Sequence, residues 1–452
     1  MKKTSRFIGA WMLTVLLLLS LAGCGASEST SGTTSGNGSS SEAATGASQG
    51  ATSLEVWTLE TTPQRVEAYQ DVIDGFMAEN PDISVELKVI NWAEAFPKLL
   101  TSIQGGTGPD VVQCSPDITI TVKELGVVQP MDEVVEKIKS EYGLYEAPIV
   151  PYSYDDHVWA VPVWTQSMML YYRADLLEEA GLEPPETWDE LLNAASVLTT
   201  DDRYGIGIPT SKNMYADQVF YSFMTTAGAD VYDYDGNPCI DSPETLKTLE
   251  FYQQLAQYTP QDSSSWTWNE SEQALAADKI AMTVAFGNVL ERAYRDAPEI
   301  AESLESVPLP IPEGGQAGTI TYSIALMCLA QDEEKIEASK EFIEYAHRPD
   351  VNAAWLNKMA PGCFLPCTDA TAQSEEFLSD DIVKTFTVAI ENEIKASQSG
   401  KMFGFTSENP VEAIGSVTGA NIISEMNQQV TFGSMEPAEA AAEAQSKIES
   451  FQ

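Results

Sequence analysis

The chain has 452 residues, 43 % of them hydrophobic, with 24 basic against 68 acidic residues and a formal charge of −44. That charge excludes nucleic acid as a partner, because phosphate binding needs a basic surface, and it reads as a heavily solvated acidic exterior. Only two histidines occur, His157 and His347, which excludes a His-cluster metal site and metal catalysis built on one.

Lys2, Lys3 and Arg6 precede a leucine-rich apolar run from Phe7 to Leu21, which ends in Leu21-Ala22-Gly23-Cys24. The run is shorter than the ~20 residues a spanning helix needs, so residues 1–23 read as a secretory signal peptide. Leu-Ala-Gly-Cys resembles the bacterial lipobox. That resemblance implies that Cys24 becomes the mature N-terminus, carries lipid on its sulfur and anchors the protein to the outer face of the cytoplasmic membrane. Residues 24–53 are mostly Ser, Gly, Thr and Ala after the cysteine, a composition that cannot offset its own ordering entropy and predicts a flexible tether. The folded part that follows exceeds what one hydrophobic core usually serves, so two lobes are expected. Beyond Cys24 an odd number of cysteines remains. Cys363 and Cys367 are close enough for a small disulfide loop, and the sequence leaves that pairing open.

The body opens with the apolar strand Leu54–Trp57. From Pro63 the period becomes helical, with Val66, Tyr69, Ile73 and Phe76 on one face, until Asn80-Pro81 stops it. Ile83, Val85, Leu87 and Val89 alternate with polar residues as a strand. A helix is predicted from Ala93 to about Ile103, closed by Gly105-Gly106, before a short strand at Val111-Val112. Strand, helix, strand, helix, strand implies a parallel sheet with right-handed crossovers. Met168–Tyr172 reads as another strand and Ala174 opens a helix ending at Gly181. Thr187-x-x-Glu190 is a capping box for the helix Trp188–Leu198, and Ser242-Pro243-Glu244 starts a helix bearing Leu246, Leu249 and Tyr252. Tyr234-Asp235-Gly236-Asn237 is a turn, and Val231 spoils any calcium-loop spacing around it. Ser263–Ser271, with Trp266 and Trp268, reads as a loop. A strand at Ile324–Leu329, a helix from Glu333 to His347 and an Ala/Glu-rich C-terminal helix complete the chain.

Trp57 after the first strand, Asn80-Pro81-x-Ile83-x-Val85 and Gly108-Pro109-Asp110-Val111 together resemble the family 1 extracellular solute-binding proteins, the maltose-binding-protein type. Ala160-Val161-Pro162, Leu170-Tyr171-Tyr172-Arg173-Ala174-Asp175-Leu176 and Pro184-Pro185-Glu186-Thr187-Trp188-Asp189-Glu190-Leu191 fit the same family. So do Lys279-Ile280-Ala281-Met282, Phe342-Ile343 and Leu365-Pro366. The resemblance implies an α/β, two-lobed periplasmic-binding-protein-like fold, with a ligand cleft between lobes joined by hinge strands. Lobe one would be 54–165 plus 305–357 and lobe two 166–304 plus 358–452. It further implies a monomeric binding protein without cofactor or turnover, delivering solute to the permease of an ABC importer by hinge closure.

Sugar sites combine aromatic faces for pyranose C–H patches with carboxylates or amides for hydroxyls. Carried onto this chain, the pattern nominates Trp57 and Glu60 at the end of the first strand and Asp117 after the Pro-Asp-Val strand. It nominates Trp164 and Gln166 at the hinge mouth, where the maltose-binding type carries an acid in place of Gln166. Trp268, Phe286 and Phe364 complete the set. Phe286-Gly287-Asn288 stands where the family commonly has Gly-x-Trp, which weakens that assignment. Asp110 is expected to fix its turn, while Trp188 and Trp355 are expected to pack against helices. The expected ligand is a neutral oligosaccharide, with a monosaccharide, polyol or sugar phosphate as the runner-up. A secreted glycoside hydrolase using two carboxylates, or a receptor or adhesin on the same fold, are the competing classes. Neither a Gly-x-Ser-x-Gly elbow nor His-Glu-x-x-His occurs.

Overall fold

The computed structural model describes residues 52–406, 410–411, 413–433 and 435–451; the signal peptide, Cys24 and nearly all of the tether lie outside them. Among the described residues there are ten strands. They are β1 (Thr52–Thr58), β2 (Ile83–Val89), β3 (Val111–Cys114), β4 (Ser153–Tyr154), β5 (His157–Val158), β6 (Val161–Ser167), β7 (Met169–Arg173), β8 (Met282–Ala285), β9 (Leu304–Val307) and β10 (Thr321–Cys328). Five of them form one sheet in the order β2-β1-β3-β10-β6, and three form a second in the order β8-β7-β9.

The predicted β1–β3 unit is parallel, as its helical crossovers demand. β10 then inserts antiparallel between β3 and β6, so the sheet is mixed. The period-2 alternation of strands decides which side chain meets which core. Val56 enters the core with Tyr69, Phe76 and Phe342, whereas Trp57, one residue on, enters the opposite core with Leu99, Val112 and Tyr152. In β7, Leu170 and Tyr172 pack with Trp188 and Phe223, while Met169 and Tyr171 pack with Trp266, Leu365 and Ile390.

Several sequence signals appear where they were read. The helix Trp188–Leu198 carries its capping box: Glu190 N donates to Thr187 Oγ1 at 3.2 Å, and Thr187 N donates to Glu190 Oε2 at 2.9 Å. Ser242 caps the helix Pro243–Leu255. Asp110 fixes its turn by accepting from Glu55 N at 2.9 Å and pairing with Lys335 at 2.8 Å. Trp188 is core, stacked on Phe251 at 4.1 Å. One segment differs. The expected Ser263–Ser271 loop ends in the helix Trp268–Ala276, where Glu270 reaches back to accept from Thr267 N at 2.8 Å. This is a second capping box, masked in sequence by the serine-rich run before it. Cys363 and Cys367 are free thiols, both buried.

The chain leaves the larger sheet at Met168, between β6 and β7. It returns between β9 and β10, and the segment around Leu365 touches both sets of cores. Cys363, Phe364 and Cys367 belong to the core of the larger sheet, and Leu365 to that of the smaller. Thr187→Ala is expected to cost about 1 kcal/mol, because the amide of Glu190 loses its cap. Urea unfolding of the variant measures it, and an unchanged midpoint would mean the box contributes nothing.

Candidate ligand cleft

At the C-terminal end of β1, one amide organises the polar groups. Gln113 Oε1 accepts from Thr58 Oγ1 (2.8 Å), Leu59 N (3.0 Å) and Tyr69 OH (2.8 Å). Three donors on one oxygen fix the orientation of the amide. Its Nε2 therefore faces Glu60, whose Oε1 accepts at 3.2 Å. Glu60 Oε2 takes Arg65 Nη1 at 2.7 Å, and Arg65 Nε donates to Met359 O at 3.3 Å. The Arg65 guanidinium also lies 4.6 Å from the centroid of Phe364.

Phe364 in turn stacks on Trp164 at 5.1 Å with 20° between planes, and Trp164 meets Trp355 edge-on at 5.5 Å. Trp57 and Trp164 are thus core side chains, 3 % and 1 % exposed, that present no open face. Trp57 Nε1 donates back to Glu55 Oε1 at 2.6 Å. The buried indole N–H of Trp164 has no partner among the described residues.

A second cluster forms around Tyr322, which pairs across the strands with Gln166. Phe286 stands edge-on to Tyr322 at 6.3 Å and tilted against Tyr215 at 6.5 Å. Burial pushes the Tyr322 phenol well above its usual range; a hydrogen bond with Gln218 lowers it, and the carboxylates of Asp117 and Asp217 add to the rise. Asp117 is exposed in the first turn of the helix Pro116–Lys123, and its charge is felt at the phenol that Gln218 hydrogen-bonds. Gln166 is half-buried and accepts from the Cys363 thiol at 3.5 Å. Burial raises that thiol, as does Glu393; Arg65 draws it down, and Glu272 and Glu291 push it up. Glu272 is held by Arg292 Nε at 3.0 Å, and burial lifts its carboxyl to about 7.

Glu60 and Phe364 thus meet through Arg65, while Gln166 and Phe286 both meet Tyr322. Trp268 is 48 % exposed, its ring on no other aromatic among the described residues. Sequence reading missed Arg65, Gln113, Tyr215, Glu272 and Tyr322. Arg65 carried a signal: a cation in the first turn of a helix opposes the macrodipole and calls for an anionic partner, here Glu60. No group of His, Cys, Asp and Glu among the described residues is arranged to hold a metal ion.

Residues 61–353 match the family described as bacterial extracellular solute-binding protein, and the chain belongs to that family. It is a family of binding proteins, not of enzymes. YcjN of Escherichia coli (strain K12), provisionally named a periplasmic-binding protein of an ABC transporter, is 24 % identical over 403 residues, 88 % of this chain and 92 % of its own. The arabinooligosaccharide-binding protein of Halalkalibacterium halodurans is 25 % identical over 320 residues, covering 66 % of this chain and 68 % of that one. The crystal structure of the cyclic α-maltosyl-1,6-maltose binding protein from Arthrobacter globiformis superposes with a TM-score of 0.75 at 17 % identity, over 89 % of this chain and 99 % of that one. The fold is therefore the two-lobed periplasmic-binding-protein fold.

Phe364→Ala is expected to cost about 3–5 kcal/mol of stability, since the ring fills the space between Trp164 and Arg65. Chemical denaturation reads this; wild-type stability would place Phe364 on the open cleft surface instead.

Proposed function

We propose that the protein is the lipid-anchored, extracellular solute-binding component of a bacterial ABC importer, and that it captures a neutral oligosaccharide by closure of its two lobes. The observation that carries the solute class is the cluster around Tyr322. Half-buried Tyr322 pairs across the strands with half-buried Gln166, is hydrogen-bonded by Gln218, and is backed by the buried rings of Phe286 and Tyr215. Ring faces suit sugar C–H patches, and amides both donate to and accept from hydroxyls.

Charge supports a neutral solute. The guanidinium groups of Arg65 and Arg292 are already held by Glu60 and Glu272, so neither is left to balance a phosphate. The names of the arabinooligosaccharide-binding and maltosyl-maltose-binding relatives favour an oligosaccharide, and that of YcjN favours an ABC transporter. Lipid on Cys24 rests on the Leu-Ala-Gly-Cys motif and the tether after it.

Thermal unfolding of the mature protein, screened against arabino- and malto-oligosaccharides, monosaccharides, polyols and sugar phosphates, tests the solute class. One neutral oligosaccharide at a hundredfold excess over Kd should add about 2.7 kcal/mol of stability. That gain should vanish in Gln166→Ala and in Asp117→Ala. A shift with only a polyol, sugar phosphate or peptide would discard the oligosaccharide. Metabolic palmitate labelling should mark the wild type and not Cys24→Ser; an unlabelled wild type would discard the anchor.

A further inference from the structure

Glu393 lies on the helix Thr387–Ser397 and is completely buried. Its carboxyl is built into a junction. Oε1 accepts from Ser167 N, the last residue of β6, at 3.3 Å, and Oε2 accepts from Tyr171 OH on β7 at 3.0 Å. The amide of Gly287, beside Phe286 in the cleft wall, also donates to it. The fit at Gly287 leaves no slack. A Cβ there would lie 2.0 Å from Gly362 O and 2.9 Å from both Cys363 Cα and Glu393 Oε2. The helix is fastened to β9 as well, since Asn392 Nδ2 donates to Ser306 O at 2.9 Å and Ser306 Oγ donates to Ala389 O at 3.2 Å.

We propose that Glu393 is a positioning residue for solute binding: one buried carboxyl holds the β6–β7 crossing, β7 and the Gly287 turn together, and so sets Gln166 and Phe286, each adjacent in sequence to an amide it binds. The proposal rests on the reading of a hinged binding cleft, not on the identity of the solute.

The same geometry makes the junction responsive to pH. The titratable groups facing Glu393 are Tyr171 from β7 and Cys363 from the loop, both raised by burial and both uncharged at neutral pH. Its shift has no cationic contribution: burial lifts the carboxyl from the ordinary 4.5 to about 8, against the lowering by Ser167 N, Tyr171 and Gly287 N. The folded value lies above the unfolded one. The contribution to stability is therefore complete below about pH 4.5 and is lost as pH rises through about 8. Above that pH the junction must hold an uncompensated charge. Glutamine is the neutral acid's closest mimic, with one acceptor and one donor at the same places.

Hydrogen exchange by mass spectrometry, without solute and corrected for intrinsic rates, tests this on the full mature protein between about pH 6 and about pH 9.5. The segments 161–173 and 282–291 are followed, with 188–198 as the control. In the wild type, protection of the two junction segments should fall at least tenfold between about pH 6 and about pH 8 and level off above it, while the control holds. In Glu393→Gln, the junction should keep its neutral-pH protection across the range. Parallel loss in both proteins, or no loss in the wild type, would overturn the proposal. Because no sugar is present, a failed sugar screen leaves this result standing, and the reverse also holds.

Discussion

Between Thr165 and Met168 the backbone is paired along both edges. On one side Ser167 and Gln166 face Thr321 and Tyr322 of β10, and on the other Thr165 exchanges two hydrogen bonds with Leu365, at 2.9 and 2.8 Å. Met168 N then donates to Ile320 O at 3.2 Å, and the next residue already belongs to the smaller sheet. Three passes of the chain are thereby drawn within a few residues of one another. Gln166 and Tyr322 are held at this crossing, Phe364 lies beside Leu365, and Phe286 reaches it through Tyr322. In the proposed function, this crossing is where the two lobes rotate.

The walls themselves are made stiff by saturating their polar groups. Gln113 uses three donors to fix one oxygen, Glu60 shares its two oxygens between Gln113 and Arg65, and Arg65 closes the loop onto Met359 and Phe364. A buried network satisfied in this way holds one geometry, whereas a half-satisfied one would be costly. Glu272 and Arg292 form a second such pair. The guanidinium groups of Arg65 and Arg292 are thus both paired internally.

Local rules were legible because they are written in adjacent residues. Thr187 with Glu190, Ser242 with Pro243, and the alternation through β2 each specify an element without reference to the rest of the chain. The insertion of antiparallel β10 was not legible, since strand order is decided by contacts far apart in sequence, such as Cys114 with Ala325, 211 residues on. Aromatic residues were the hardest to place. Trp57 and Trp164 obey the family pattern for a sugar site, yet a ring stacked on Phe364 and one bound for a sugar bury the same kind of face. Only the strand parity and the partners separate them. Glu393 left one mark in sequence: it shares the buried stripe of Ala389, Ile390 and Ser397, where a carboxylate has no reason to be unless something binds it.

Capture by closure about the Thr165–Met168 crossing is the claim on which the functional account stands. Small-angle X-ray scattering of the mature protein, recorded alone and with a saturating arabino-oligosaccharide, tests it most directly. The account predicts a smaller radius of gyration in the presence of the sugar, with secondary structure unchanged. A bound sugar that leaves the radius of gyration unaltered would contradict it.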